Sequence, residues 1–362
     1  MKLSGSQLFW IIVTTQVVAM IGLRISPAIV EAKQDAWLSM LLGGGIAVVL
    51  TYLVVHLSML HPKQSLAQYS LTLLGKWFGR FIVLPYLIAW HLLSAVLLRS
   101  FADFLHLILV DRTPLWVIIT LLLGLSVYMT YSAGITGIGR FCELMGPILL
   151  LMLIVSFILN LGSVEWRHLL PVYFDSGWAG ISKGSLAPAF WFSGPFTLLV
   201  IVSFMHTPQK ALSKSLLGVG VTVLMVSTST LMVLLVFGPN LAAKIRFSYF
   251  MYVRTINIFN FIQNVDIFIM FIWIFGVCAQ LSLYLFISSY ETAKWFIVKD
   301  WRKFSWLGTP MIFIIAILIP NETIFTSYDQ AWSTVIFPVC GIGIPLLLWT
   351  ITVIKRKSMK AV

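Results

Sequence analysis

Long apolar runs separated by short polar segments dominate the chain. A helix needs about 20 mainly apolar residues to cross the hydrocarbon of a bilayer, and on that basis we count ten transmembrane spans. Their predicted limits are 7–30, 36–60, 80–108, 114–131, 140–161, 182–205, 213–238, 264–290, 307–320 and 333–354. The ninth run is short, so we expect it to be tilted or to start in the interface.

The first and sixth spans contain residues that interrupt a helix. Span 1 holds Gly22, Arg24 and Pro27, and span 6 holds the stretch Phe192-Ser-Gly-Pro-Phe196 shortly after Pro188. Glycine and proline weaken a helix, and proline also removes a backbone donor. Backbone groups freed at membrane depth must be buried in protein or line a cavity. Two such breaks at matching places in two halves of a chain indicate a transporter-type binding site.

The ten spans divide into two sets of five, predicted at approximately 7–161 and 182–354 within one domain that covers 1–362. Each set opens with a broken span. Because five is odd, the second set enters the membrane from the opposite side, as an inverted repeat requires. We therefore predict an all-α integral membrane protein with a five-plus-five inverted repeat.

Composition agrees with this class, since 60% of the residues are apolar and only 10% are charged. The net charge of +12 does not indicate a nucleic-acid partner, because the basic residues lie in short loops between spans. With a cytoplasmic N-terminus, 15 of the 24 Lys and Arg residues face the cytoplasm and seven face outward. This bias predicts that both termini are cytoplasmic. The first apolar run has no small-residue cleavage site, so we expect it to remain as a span.

Span 3 carries a polar stripe of His91, Arg99, Asp103 and His106. At 100° per residue the four positions fall within a 120° sector of one helix, so one face is polar. Arg99 and Asp103 are also i, i+4 neighbours that can neutralise each other. The stripe either lines a pocket or proton relay, or is a structural ion pair with two hydrogen-bonded histidines.

Span 8 carries a narrower stripe of Asp266, Trp273, Gln280, Tyr284 and Glu291. All five lie within about 40° of one another on the helix surface. The stripe is either a seam of hydrogen bonds between spans or part of a binding site. Gln280 is the member best placed for a ligand, whereas Asp266 and Glu291 lie near the ends and suit the interface.

Arg24 lies near mid-membrane beside the break in span 1, where an ionisable residue is costly and usually functional. It can clamp a carboxylate, pair with a distant acid such as Asp103 or Asp266, fill a cation site with its own guanidinium, or serve structure alone. The histidines and cysteines show no metal-ligand spacing, and we find no catalytic motif. We therefore predict no enzyme, no metal and no cofactor.

Several short motifs occur in a fixed order from one end of the chain to the other. They are Met20-Ile-Gly-Leu23, Gln34-Asp-Ala-Trp37, Gly75-Lys-Trp-Phe-Gly79, Asp111-Arg-Thr-Pro114, Leu170-Pro-Val172, Phe192-Ser-Gly194, and Asp266 with Trp273. In this series the chain resembles the B subunits of spore germination receptors, a family in the amino acid–polyamine–organocation permease superfamily. The resemblance implies a LeuT-like fold. It also implies a nutrient sensor in the spore inner membrane, beside a membrane A subunit and a lipoprotein C subunit.

The resemblance places a pocket between spans 1, 3, 6 and 8, at Gly22, Arg99, Gly194 and Gln280. Many relatives have Gly-x-Gly in span 1, and here the second glycine is Arg24. The predicted substrate-binding residues are Gly22, Leu23, Arg24, Arg99, Phe192, Ser193, Gly194, Trp273 and Gln280. Asp103, His106 and Asp266 are predicted as a relay or as structural ion-pair partners. The alternative function is a secondary amino acid transporter, with or without coupling to protons.

Overall fold

The computed structural model describes residues 2–257, 266–319 and 331–360. Its architecture is helical throughout these ranges, apart from one isolated bridge between Leu3 and Met205. The helices are α1 Gly5–Leu23, α2 Ile25–Ala32, α3 Ala36–Leu60, α4 Leu66–Ile108, α5 Leu115–Leu159, α6 Gly177–Ser193, α7 Pro195–Ile201, α8 Ala211–Ala242, α9 Ser248–Arg254, α10 Asp266–Trp295, α11 Arg302–Leu318 and α12 Ile344–Lys360, with a π-helix at Trp332–Gly343 that leads into α12.

Within the described ranges, eight helical stretches are long and apolar enough to cross a membrane. One of them, α5, has 45 residues and is bent at Gly134, where φ is +56°. Its first half packs on α10 and its second half on α1, so we assign it to spans 4 and 5. The 17 residues of α11 reach the lower limit for crossing. Together these helices make the predicted ten spans.

The predicted helix limits agree most closely where the apolar run has polar ends, as in span 2, which is α3. The predicted limits differ from the observed ones where a bend joins two helices, because counting apolar residues does not detect a turn made at a single residue. Thus α4 begins at Leu66, well before the predicted start at 80, and turns at Gly75, where φ is +80°. Span 3 is the part of α4 that follows this turn. The predicted limits of the two repeats remain a prediction.

The two breaks appear as predicted. Span 1 is α1 followed by α2, interrupted at Arg24, and span 6 is α6 followed by α7, interrupted at Gly194. Pro27 lies in the first turn of α2 and not in the break itself. Proline is tolerated there because the first N–H groups of a helix have no intrahelical acceptor.

Two faces of the bundle are distinguished below. The terminal face holds the start of the chain, where Leu3 exchanges backbone hydrogen bonds with Phe204 (2.8 Å) and His206 (2.9 Å), and the start of α4. The opposite face holds α9, so we call it the α9 face. The predicted long outer loop therefore contains a helix, although 258–263, which that loop includes, lie outside the described residues.

A buried carboxylate fixes the segment before α6 on the α9 face. Asp35 is fully buried, and its two oxygens accept the backbone N–H of Tyr173 at 3.1 and 3.0 Å and the hydroxyl of Ser176. The preceding Gln34 donates to the carbonyl of Pro171 at 2.8 Å. These bonds anchor the connection between the two halves to the start of α3.

Replacing Asp35 with Ala is expected to lower the free energy of unfolding by about 2 kcal/mol, because two donors lose their acceptor. The measurement is the thermal melting of the purified protein in detergent. Asp111→Ala is the control, because Asp111 is exposed in a loop on the same face. Equal melting of the two variants would show that the Asp35 anchor contributes little to stability.

Candidate functional site

The break in span 6 is closed by side chains from other spans. Gln16 of α1 donates from Nε2 to the carbonyl of Phe192 at 2.8 Å, and Thr51 of α3 donates to the carbonyl of Ser193 at 3.3 Å. Gly194 adopts the left-handed conformation, with φ at +51°. A non-glycine residue is strained in this conformation. A Cβ there would also lie 2.9 Å from Nε2 of Gln16.

Two tryptophans complete the pairing of backbone carbonyls near the breaks. Trp90 of α4 donates from Nε1 to the carbonyl of Phe196 at 2.8 Å, beyond the break in span 6. Trp273 of α10 donates to the carbonyl of Val18 in α1 at 3.1 Å. Sequence reasoning missed Gln16, Thr51 and Trp90. The available signal was a side chain with a polar group inside an apolar span, but the sequence does not show which carbonyl that group bonds.

Gly22 is required by close packing with Trp273. A Cβ built on Gly22 would lie 2.0 Å from Cζ2 of the indole, so the ring lies directly against the backbone of α1. The predicted residues Gly22 and Trp273 are therefore brought together at the break of span 1. Leu23 follows at the end of α1 and is half-buried.

A small cavity lies at the break of span 6, between spans 3, 6 and 8. Its volume is about 10 Å³, which is room for about one water molecule. The lining residues are Leu93, Phe190, Trp191, Gly194, Phe196 and Tyr284. A nutrient does not fit this space as it stands.

Two buried side-chain amides lie around these breaks. Gln280 is 2% exposed and lies beside Tyr284, which lines the cavity, and Gln16 lies beside Gly194. In the part of the chain that the structure describes, Oε1 of Gln16 and Oε1 of Gln280 have no hydrogen-bond donor. A buried acceptor without a donor is costly. Both amides are therefore suited to accept from a polar ligand.

The polar stripe of span 3 faces α11 and not the cavity. Arg99 pairs with Asp103, with Nε 2.9 Å from Oδ1, and donates from Nη1 to the carbonyl of Ala316 at 3.2 Å. His91 lies against Gly308 of α11. Arg99 thus forms an ion pair at the interface of α4 and α11, and its place in a pocket stays a prediction.

The geometry of α4 explains why this stripe does not face the cavity. Leu93, which lines the cavity, is roughly 120° around the helix from Arg99 at 100° per residue. A stripe identifies which side chains share a face, but it does not say which neighbour that face meets. His106 lies at the end of the same stripe, where Nδ1 is 3.1 Å from the carbonyl of Thr113 in the following loop.

The segment around α9 covers the outer ends of spans 1, 3 and 8. Arg246 approaches Asp103, with Nη2 3.8 Å from Oδ2, and Arg254 approaches Asp266, with Nε 3.7 Å from Oδ2. Ser26 of α2 donates to the carbonyl of Ile245 at 2.7 Å. Asp103 and Asp266 thus pair with arginines from the same segment, and both acids lie at the α9 face.

Two tyrosines of α9 bond this helix to its neighbour. Burial raises the pKa of both Tyr249 and Tyr252 well above the ordinary value for tyrosine, so both hydroxyls stay protonated. The Tyr252 hydroxyl donates to the carbonyl of Ser156 at 3.0 Å, and the Tyr249 hydroxyl lies 2.6 Å from the Ser156 hydroxyl. These bonds attach α9 to the end of α5.

Arg24 is 8% exposed, and its guanidinium carbon lies 4.6 Å from the centre of the Trp191 ring. Trp191 in turn stacks on Trp332 of the π-helix, with ring centres 6.1 Å apart. This geometry is a cation–π contact in a desolvated site. Arg24 therefore joins span 1 to the aromatic residues of spans 6 and 10 on the α9 side of the break.

Glu291 is fully buried in protein near the end of α10, and its predicted place at the membrane interface stays a prediction. Its Oε2 accepts the backbone N–H of Ala67 at 2.8 Å, at the start of α4. An anion is stabilised at a helix N-terminus. Glu291 therefore fastens α10 to α4 at the terminal face, more than 30 Å along α10 from Asp266.

The sequence model of the spore permease family, described as spore germination protein, matches residues 2–326. The chain belongs to the spore germination protein family. It is 25% identical to the spore germination protein YndE of Bacillus subtilis, over 99% of this chain and 98% of that protein. It is also 25% identical to the spore germination protein KB of Bacillus subtilis, over 91% of this chain and 87% of that protein. These matches confirm the resemblance drawn from the ordered motifs.

The fold of this family member is shared with two solved transporters. Mhp1, a nucleobase-cation-symport-1 family transporter in a closed conformation with bromovinylhydantoin bound, aligns with a TM-score of 0.68, 14% identity, and coverage of 95% of this chain and 77% of that chain. MhsT in complex with L-phenylalanine aligns with a TM-score of 0.61, 14% identity, and coverage of 93% and 87%. The predicted LeuT-like fold with broken spans 1 and 6 is confirmed.

The contact between Gly22 and Trp273 can be tested by a double-mutant cycle. Gly22→Ala is expected to lower the free energy of unfolding by about 1–3 kcal/mol, since the new Cβ displaces the indole. In a Trp273→Ala background the same change is expected to cost less than about 1 kcal/mol, because the clash is gone. Thermal melting of the four proteins gives the coupling.

Gly220→Ala in α8 is the matched control, because no other atom lies within 4 Å of a Cβ built there. We expect this change to be neutral or slightly stabilising in a helix. Additive effects of Gly22→Ala and Trp273→Ala would contradict the assigned contact.

Proposed function

We propose that the protein is the nutrient-sensing B subunit of a spore germination receptor, in the spore inner membrane with both termini cytoplasmic. The observation that carries the proposal is the pair of buried amides, Gln16 and Gln280, beside the two broken spans. Membership of the spore germination protein family supports the biological setting. The transporter fold supports a binding site for a small solute at the breaks.

In the proposed site, the nutrient lies against the backbone at the two breaks and contacts the two side-chain amides. Hydrogen bonds from a nutrient to Oε1 of Gln16 and Gln280 would supply the missing donors. The remaining residues of the proposed site are Gly22, Leu23, Arg24, Phe192, Ser193, Gly194 and Trp273. Arg99, Asp103 and Asp266 are left outside it, with structural roles in ion pairs.

The signal follows from a difference in affinity between two conformations. A ligand shifts an equilibrium only by the difference in its binding free energy for the two states. Because the closed cavity holds about one water, a nutrient must bind a more open arrangement of spans 1 and 6. We propose that this opening is passed to a membrane A subunit and a lipoprotein C subunit.

Ligand-induced thermal stabilisation of the purified protein tests the site. A panel of amino acids, sugars and ions is expected to contain one class that raises the melting temperature with concentration. Gln280→Leu is expected to remove this shift, and Arg24→Gly to alter it, because both residues lie at the proposed site. Gln209→Leu, at an exposed position outside the spans, is the control and should keep the shift.

The same variants can be measured in spores. At normal receptor levels, Gln280→Leu is expected to reduce the germination response to that nutrient by at least the tenfold loss that corresponds to about 1.4 kcal/mol. A normal response in Gln280→Leu and Gln16→Leu spores would show that the site is elsewhere.

The second candidate is a secondary transporter, with or without proton coupling. The observation in its favour is the fold that this chain shares with two solved transporters. Purified protein in liposomes distinguishes the two functions. A sensor is expected to bind the stabilising nutrient without accumulating it under an imposed proton gradient. Uptake above that of protein-free liposomes, abolished by Gln280→Leu, would favour transport instead.

A further inference from the structure

The turn at Gly75 exposes an aromatic and basic segment at the terminal face, Lys76–Phe81. Its large side chains face outward: Trp77 is 88% exposed, Phe78 is 72% exposed and Phe81 is 73% exposed. Neither the proposed nutrient site nor the bends of the fold account for three aromatic rings at one exposed turn. In a membrane protein, aromatic side chains at the end of a span are typical of the membrane–water interface.

Arg80 lies within this segment and is held in place by Trp295. The Trp295 indole donates from Nε1 to the carbonyl of Arg80 at 3.0 Å, and the guanidinium carbon lies 5.7 Å from the centre of the same ring. Nε of Arg80 is buried, so a ligand reaches the guanidinium through its Nη atoms, and within the described ranges no carboxylate forms an ion pair with Arg80. A positioned guanidinium is therefore left with donors to spare.

The surroundings of Arg80 are basic. Lys76 is exposed one turn earlier, and Lys355 of α12 donates to the carbonyl of Leu73 at 2.7 Å beside the bend. Lys294 flanks Trp295 on α10. The nearby Asp300 is engaged with the start of α11, where it accepts the backbone N–H of Arg302 at 3.1 Å. The surface therefore favours an anion.

We propose that Arg80 and Lys76 bind the phosphate of an anionic phospholipid, with the three aromatic rings in the interfacial layer. The guanidinium fork matches phosphate oxygens. Tryptophan and phenylalanine beside basic residues suit the headgroup region. The exposed apolar surface of α4 continues from Phe81 to Leu84 and Ile88, so the segment adjoins a lipid-facing helix and not a water-filled cleft.

The test is lipid binding by the purified full-length protein, with phosphatidylglycerol compared against phosphatidylcholine in titrations followed by native mass spectrometry. Two basic residues at about fivefold each predict roughly a 25-fold preference for phosphatidylglycerol. Arg80→Gln is expected to lower that affinity about fivefold. Arg167→Gln, an exposed arginine on the α9 face, is the matched control and should bind like the parent protein.

Equal affinity for the two lipids would overturn the proposal, and so would unchanged phosphatidylglycerol binding by Arg80→Gln. Inorganic phosphate that displaces phosphatidylglycerol at matched concentration would overturn the lipid assignment in favour of a soluble anion. If Arg80→Gln fails to fold, Lys76→Gln and Trp77→Ala carry the test, because both positions are exposed. Both are expected to weaken binding.

Discussion

The hydrogen bond from the Gln16 amide to the carbonyl of Phe192 joins the two broken spans directly. In hydrocarbon an unpaired backbone carbonyl costs several kcal/mol, so a helix can be interrupted only where another group supplies the missing partner. Spans 1 and 2 each supply one such group to the break in span 6, through Gln16 and Thr51, and Trp90 of span 3 donates to a carbonyl of α7. The break in span 6 therefore depends on the packing around it, because the neighbouring spans donate the hydrogen bonds that the interrupted helix lacks.

Under the proposed function, this dependence would let a small ligand move whole helices. The donors of Gln16 are committed to span 6, while its oxygen is left for another partner. A ligand that bonds to this oxygen contacts the same side chain that holds the break closed. Small changes at such a point are amplified, because packed helices have discrete arrangements and do not deform continuously.

The sequence predicts the break in span 6 well because Gly194 adopts a left-handed conformation that its residue type makes visible. Gly22 also marks its break, although it is helical and is required by contact with the distant Trp273. It predicts faces less well, as the stripe on span 3 illustrates. Periodicity correctly grouped Arg99 with Asp103, but only tertiary packing decides that this face meets α11. Gln16 was missed for the same reason, since its acceptor lies 176 residues away in the chain.

Two sets of contacts, one at each face of the bundle, differ in how far water reaches them. At the α9 face, the side chain of Arg254 is 56% exposed and that of Arg246 is 33% exposed in their ion pairs. Pairs this accessible to water contribute about 0–1 kcal/mol each and are screened by salt. At the terminal face, Leu3 is joined to span 6 by backbone hydrogen bonds, and the buried Glu291 holds the start of α4. Leaving a buried polar group unpaired costs about 1–3 kcal/mol, so the bonds of Leu3 and Glu291 cost more to break than these two ion pairs.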